Sequence, residues 1–295
     1  MDFSVIVPCF NSERYLRRCL EALFTQTFPG DRYEVVLIDN NSTDRSLEIA
    51  RSFPDLVVLQ EEIQSSYSAR NRGLRKSRGK MLAFTDSDCE ACPTWLEEIA
   101  ASLAESGTAL VLGSRRNARE SYSLGMAADY EAQKVEYVCT QDDSSLYYGY
   151  TGNLAAHREA FERCGLFMQI ARGADTVFVS TVLKTYGPGS VRYAPKAQVR
   201  HLEINGVSDW YRKLGTYGRS SANYGAWSHT RPLGLRTRLK VMRRTIARNR
   251  YSWLRAQSLA LLLAVGVVVF ALGRIVGSMG RKTAGQSSPN AGAAT

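Results

Sequence analysis

Asp86 and Asp88 stand two residues apart, directly after the apolar run Met81-Leu82-Ala83-Phe84. Such a run is strand-forming, and side chains on a strand alternate between its faces with a period of two. Continuing that geometry through the pair puts both carboxylates on one face at the strand's end. Two like charges so placed repel unless something positive lies between them. A hard divalent cation with oxygen ligands meets that need, above all one that also bridges to a phosphate. On the pair alone, a solvated turn with two acidic residues is the plain alternative. Cys89-Glu90-Ala91-Cys92 follows with no second Cys pair, and small residues filling a turn account for it better than zinc or redox chemistry does.

The elements that must position this pair are legible as a pattern. Phe3–Val7, Glu34–Ile38, Leu56–Leu59, Met81–Thr85 and Ala109–Leu112 read as strands, the first ending at Pro8 and the second in Asp39. Glu13–Thr25 sets Leu16, Leu20, Leu23 and Phe24 on one helical face, with Ser12 as its expected N-cap. Asp44–Phe53, Ser66–Lys76 and Trp95–Glu105 are further helices, and Pro54 stops the first of these. Strands alternating with helices predict an α/β domain with a doubly wound, mostly parallel sheet. Ligands in such sheets bind beyond the carboxyl ends of the strands, where Pro8–Asn11, Asp39–Asp44 and Asp86–Asp88 gather. Residues 114–150 show no clear period and are expected to be a variable region over the site. Asp175–Tyr186 reads as a helix broken by Gly187-Pro188-Gly189, followed by two short strands, Val191–Ala194 and Gln198–His201.

Charge divides the chain. Residues 1–209 carry 23 Lys and Arg against 28 Asp and Glu, while residues 210–295 carry 15 Lys and Arg and no acid. An acidic body argues against a nucleic-acid partner, and a basic C-terminal segment fits anionic lipid. Leu235, Leu239, Met242 and Ile246 recur at helical spacing among Arg236, Arg238, Lys240, Arg243, Arg244 and Arg248, the pattern of an amphipathic helix in the headgroup layer. Ala256–Met279 contains Arg274 as its one charge and approaches the roughly 20 residues that cross a bilayer. The expected organisation is a catalytic domain over 1–225, a basic juxtamembrane segment over 226–255, a membrane span over 256–279 and a disordered tail over 280–295. The excess of Lys and Arg before the span places the large domain in the cytoplasm, at the cell membrane. The start of the chain lacks a leader pattern, and six scattered cysteines, Cys9, Cys19, Cys89, Cys92, Cys139 and Cys164, fit a reduced setting.

The motifs, taken in order, resemble the family 2 inverting glycosyltransferases, which have the GT-A fold. The resemblance covers about residues 1–205. It rests on Val5-Ile6-Val7-Pro8-Cys9-Phe10-Asn11, Leu37-Ile38-Asp39-Asn40-Asn41-Ser42-Thr43-Asp44, Ala69-Arg70-Asn71-Arg72-Gly73, Phe84-Thr85-Asp86-Ser87-Asp88, Thr151-Gly152-Asn153 and Gly173-Ala174-Asp175. It implies a UDP-, GDP- or dTDP-linked sugar as donor, Mn²⁺ or Mg²⁺ as cofactor, and a hexosyltransferase-like reaction. By the same resemblance Asp88 ligates the metal, Asp86 contacts ribose or a metal-bound water, and Asp175 is the catalytic base. His201 is expected to complete the metal shell or simply to pack. Asp39 is placed to accept from a base N–H, Pro8 and Cys9 offer backbone groups to the nucleotide, and Arg70 reaches the base or diphosphate. Tyr147, Tyr148 and Tyr150 either stack on a sugar or pack, and His157 and His229 are expected to be structural. The basic helix and span favour a lipid-linked or glycan acceptor.

The chain departs from the family where Asn40-Asn41 replaces Asp-Gly and where Ala174 replaces an acid. The second departure supports an alternative, a non-catalytic nucleotide-sugar-binding scaffold of the same fold. Aspartate-nucleophile phosphatases also place Asp-x-Asp after a strand but continue with a Gly-Thr-like segment, where this chain has Cys89-Glu90. No G-x-G-x-x-G follows the first strand, which disfavours a dinucleotide oxidoreductase.

Overall fold

A computed structural model describes residues 1–117, 121–141, 143–228 and 230–283. His229 and residues 284–295 of the expected tail lie outside the described residues. Eight strands form one mixed sheet in the order β3-β2-β1-β4-β7-β6-β8-β5. β1 (Phe3–Cys9), β2 (Tyr33–Asp39), β3 (Val57–Gln60) and β4 (Met81–Thr85) run parallel. β7 (Asn153–His157) is antiparallel to β4 and to β6 (Leu110–Asn117). β8 (Val191–His201) runs parallel to β6, and the short β5 (Cys89–Ala91) closes the edge antiparallel to β8.

Period-two alternation builds two cores. Phe3, Val5, Val7 and Cys9 face one side of the sheet, with Val35 and Leu37; Ile6, Val36 and Ile38 face the other. Every residue of β1 and β2 is buried, as expected of parallel strands covered on both faces. α1 (Leu16–Phe24) buries Leu16, Cys19, Leu20 and Leu23 against the first face, beside α2 (Ser46–Arg51) and α4 (Trp95–Leu103). α3 (Ser66–Lys76) covers the second face, joined there by α5 (Tyr122–Cys139), α6 (Arg158–Cys164) and α7 (Ala174–Tyr186). Glycine is needed at Gly73, where a Cβ would stand 2.7 Å from Ile6 Cγ2 and 2.8 Å from Ile38 Cδ1, so α3 lies directly on β1 and β2.

Several expected elements take a different form. Ser12 does not cap α1 with its side chain. Its carbonyl accepts from Tyr15 N and Leu16 N, while its hydroxyl bonds Ser87 at 2.7 Å. The second helix starts at Ser46, after an Asx turn in which the Asp44 carboxylate accepts from Ser46 N at 2.9 Å and from Glu13 N at 3.0 Å, which holds Asp44 outside. Val191–His201 is one strand with a register shift opposite Gly113 and Ser114. The region 114–150 holds the end of β6 and the 18-residue α5, whose Ser121 hydroxyl accepts from Leu124 N.

Past β8 the chain continues as α8 (Val207–Ser228), α9 (Leu235–Arg248) and α10 (Trp253–Thr283). Within α10, Trp253–Met279 is long and apolar enough to cross a membrane by length and composition.

Candidate active site

The strand order reverses direction beside β1. From β1 the chain steps outward to β2 and β3, then returns to place β4 on the other side of β1. Such a switch point leaves a crevice beyond the carboxyl ends of the strands flanking it, here Cys9 and Thr85, with Asp39 ending the next strand. Asp86 and Asp88 lie at this crevice, though not by strand periodicity. β4 stops at Thr85, and a turn closed by Cys89 N donating to Asp86 O at 3.0 Å carries the pair into β5. The turn is pinned on both sides: Ser87 bonds Ser12, and Leu202 N donates to Asp88 O at 2.8 Å.

That turn makes the two carboxylates unequal. Asp86 is half-buried and ion-paired to the Arg70 guanidinium of α3. Arg70 itself is buried, donates to Ser66 O at 3.2 Å and leaves its Nε without a partner; it is not a solvated helix-face arginine. Asp88 sits opposite His201 because β5 and β8 pair Cys89 with His201. His201 Nδ1 is 3.3 Å from Asp88 Oδ2 yet has no hydrogen-bond partner. Its Nε2 accepts from Lys213 Nζ at 2.7 Å, and Lys213 also pairs with Glu203 at 3.0 Å. Burial, with the Lys213 charge, pushes His201 down to about 4, so the ring is neutral and its contact with Asp88 is not an ion pair. Burial and the neighbouring Asp86 charge raise Asp88 above the ordinary carboxylate range.

This donor set suits a divalent cation. Ligand atoms of Asp88, Cys89 and His201 lie within 4.8 Å of one another. A half-buried carboxylate with a raised proton affinity and an unpaired imidazole nitrogen are groups that a hard or borderline cation satisfies. Cys89 is a poorer ligand: its thiol is buried, its pKa is raised well above the usual value, and it points its sulfur at Asp88 Oδ1. All six cysteines are free.

Across the crevice, Asp175 stands in the first turn of α7, two residues past the helix-capping Gly173, whose φ is +93°. It is therefore inside the helix rather than its N-cap. Oδ2 accepts from Thr151 N at 3.2 Å and Oδ1 from Thr176 N at 2.9 Å. Burial raises its pKa, opposed by those backbone donors and by Arg70. Arg70 thus acts on both Asp86 and Asp175. Gly152 lets the loop before β7 pass Asp86: a Cβ there would stand 2.8 Å from Asp86 Oδ2. Asn153 is structural, donating to Ser114 O and Ala197 O and accepting from Trp95 Nε1.

The remaining expected residues are distributed as follows. Asp39 is buried with Oδ1 unpartnered, while Asn40 ties the loop through Glu61 O, Ile63 O and Ser65 N. Pro8 and Cys9 end β1; the Cys9 carbonyl accepts from Asn40 N at 2.8 Å, and burial pushes its thiol up to about 11. Tyr147 and Tyr150 pack in the core, with Tyr150 donating to Gly113 O. His157 bonds Leu103 O at the far end of β7.

Sequence reasoning missed Lys213, Tyr67 and Arg115. The Tyr67 hydroxyl accepts from Gly173 N at 3.1 Å and donates toward the Asp175 carboxylate; its i, i+3 spacing from Arg70 on one helix face was the available signal. Arg115 lies over the Tyr150 ring at 4.0 Å, in a region with no readable period.

Comparison with known proteins fits this arrangement. The model of "Glycosyl transferase family 2" matches residues 4–174. Glycosyltransferase AglE of Haloferax volcanii is 34% identical over 170 residues, covering 56% of this chain and 55% of that protein. The chain thus spans about half the length of that relative and smaller shares of other curated relatives. Among solved structures, mannosyltransferase PcManGT from Pyrobaculum calidifontis, in complex with GDP-Man and Mn²⁺, superposes with a TM-score of 0.60 at 18% identity, over 94% of this chain and 86% of that one. TarS 1-349 of S. aureus, in complex with UDP-GlcNAc, superposes with a TM-score of 0.58 at 20% identity, over 96% and 92%. The fold is the GT-A arrangement, and with the matched segment running from β1 to the start of α7, the chain belongs to glycosyl transferase family 2.

Proposed function

We propose that the protein is a metal-dependent, inverting glycosyltransferase. It moves a sugar from a nucleotide-diphosphate sugar to an acceptor hydroxyl or phosphate. The observation that carries this is the set of buried polar atoms left without partners among the described residues around the switch-point crevice: Asp39 Oδ1, Arg70 Nε and His201 Nδ1. Such atoms are costly unless a ligand satisfies them. Asp39 would accept from a uracil, thymine or guanine N–H, with Pro8 and Cys9 at the end of β1 beside it. Asp88 and His201 would hold Mn²⁺ or Mg²⁺, with Lys213 yielding its place on the imidazole. The metal would supply neutralisation of the departing diphosphate. Arg70 keeps Asp86 oriented toward the ribose side and adds positive charge near the diphosphate. Asp175, on the opposite wall, takes the acceptor proton; its two backbone hydrogen bonds fix the carboxylate, and its raised pKa strengthens it as a base.

The donors held by the two structural neighbours, one UDP-linked and one GDP-linked, support a nucleotide sugar without choosing its base. The basic, apolar C-terminal helices support a lipid-borne acceptor at the cytoplasmic face of the cell membrane. The test is a panel of UDP-, GDP- and dTDP-sugars with Mn²⁺ or Mg²⁺ and a membrane-lipid extract, reading nucleoside diphosphate release. Release with one donor, lost on chelation and restored by metal, is the expected outcome. Metal-dependent nucleotide binding with no release across the panel would instead establish a binding scaffold.

A further inference from the structure

α10 has two unlike faces. Leu259 and Leu262 are buried, in one core with Trp210 and Val241. Farther along the same face, Gly266, Gly273 and Gly277 meet α8. A Cβ on Gly266 would stand 3.1 Å from Leu214 and 3.3 Å from Trp210, and Cβ atoms on Gly273 and Gly277 would run into the backbone carbonyls of Gly215 and Arg219. Tyr211 of α8 also donates to Leu262 O at 3.1 Å. The two helices therefore lie backbone to backbone from Leu262 to Gly277. The opposite face is an unbroken apolar stripe. Leu261, Val265, Val268, Leu272, Val276 and Met279 recur every three or four residues, and all are exposed, Leu261 at 68% and Met279 at 64%.

We propose that α10 does not cross a bilayer but lies in the plane of one anionic leaflet, this stripe immersed and α9 beside it on the headgroups. Spanning would carry α8 with it. α8 brings Arg212, Lys213 and Arg219, and Lys213 is bonded to His201 in the crevice. Charged groups at the bilayer centre are costly, and the hydrocarbon core is about 30 Å deep, too deep for α10 to cross without immersing the side of the domain it is packed on. A helix with one face on protein and one apolar face outward suits the interface instead.

The occupant follows from charge. α9 exposes Arg236, Lys240, Arg243 and Arg244 around a hollow of about 500 Å³ that also includes Leu239. No acid follows Asp209. Pairing the stripe with a second copy would bring two such segments together, whereas anionic lipid headgroups neutralise them. Trp253 and Leu254, 72% and 67% exposed, stand at the start of α10, where interfacial aromatic residues belong. This docking holds whatever sugar is transferred.

The full chain is added to sealed phosphatidylcholine vesicles with or without phosphatidylglycerol, and binding is read by flotation. Tight binding to the anionic vesicles is expected. The combined Lys240→Glu, Arg243→Glu and Arg244→Glu variant should bind them about a hundredfold more weakly, at roughly 1 kcal/mol per basic residue. External trypsin should cut at Arg281 or Lys282, since both ends of α10 stay on the outer side; protection of those bonds, with the catalytic domain outside, overturns the in-plane placement. Leu272→Asp with Val276→Asp should release a folded monomer, checked by circular dichroism. A vesicle-independent dimer of the parent that this variant splits would overturn the lipid assignment in favour of a second copy.

Discussion

The two halves of the sheet hold their carboxylates by different means. In the half from β1 to β4, Asp39, Asp86 and Asp88 sit at or just past strand ends, and their positions follow from parallel strands of matched length. In the half from β6 onward, Asp175 and His201 are placed by long-range pairs: Thr151 N on Asp175, and β5 on β8 bringing His201 to Asp88. The first half lines the switch-point crevice from local pattern. The second brings in the proposed base and the proposed nitrogen ligand only once the chain has closed on itself. The difference predicts separable defects, one in donor capture and one in turnover.

The sharpest way to break that division is a pair of isosteric changes. Asp175→Asn should lower kcat by about 10²–10⁴-fold, the range a positioned general base contributes, while the donor KM stays within severalfold. Asp88→Asn should abolish metal-dependent donor binding itself, read by nucleotide titration with and without Mn²⁺. Normal turnover in Asp175→Asn removes it from the chemistry; unchanged metal-dependent binding in Asp88→Asn does the same for the metal assignment.

Asn153 tests whether a motif residue is there for chemistry or for architecture. Its side chain satisfies two buried carbonyls and the Trp95 indole N–H. Asn153→Ala leaves all three unpaired, and each unsatisfied buried group costs about 1–3 kcal/mol. Denaturant unfolding should show a loss of about 3 kcal/mol or more, with the folded fraction keeping the parental donor KM. A donor-binding defect without loss of stability would move Asn153 into the site.

The same contrast explains what was legible. Period-two runs and amphipathic turns gave β1 to β4 and α1 to α4 within a few residues, because all of those elements but the edge strand β3 bury continuous faces near in sequence. The Asp86–Asp88 juxtaposition was foreseen, but for a geometric reason that does not hold: a turn, not an extended strand, presents the pair. Ser12 looked like a cap and is instead a bridge to Ser87, because Ser87 lies 75 residues away and no local rule sees it. α5 was hidden for another reason. Its apolar residues face a core assembled from β6, β8, α9 and α10 and its exposed side is narrow, so its period is blurred. Lys213 was invisible as a site residue, since only β8 and α8 together bring it to His201. For α10, hydropathy revealed a membrane-length helix and nothing about the glycine face that binds α8.

Gly152 offers a smaller effect at the seam between the halves. Gly152→Ala places a methyl group against Asp86 Oδ2, so Asp86 must shift within its Arg70 pair. The donor KM should rise severalfold with stability changed by no more than about 1 kcal/mol, and Gly152→Ser should be worse. A parental KM in both would mean that Asp86 moves freely and contributes little to donor capture.

The least change is expected in the pH profile. Asp175 must be ionised to accept a proton, and burial holds its pKa above the ordinary aspartate value while Arg70 pulls it down. The rate at saturating donor should therefore fall with slope one as pH drops through that raised value, and stay level above it. Arg70→Gln removes the positive charge that favours the carboxylate, so the acid limb should move to higher pH, with the backbone donors still opposing the shift. Arg70→Lys should restore most of that shift while leaving the Asp86 pairing, and hence donor KM, impaired, because a single ammonium cannot reproduce the guanidinium's fixed fork. An acid limb that ignores Arg70 would uncouple the two walls of the crevice and leave Asp86 and Asp175 as independent sites.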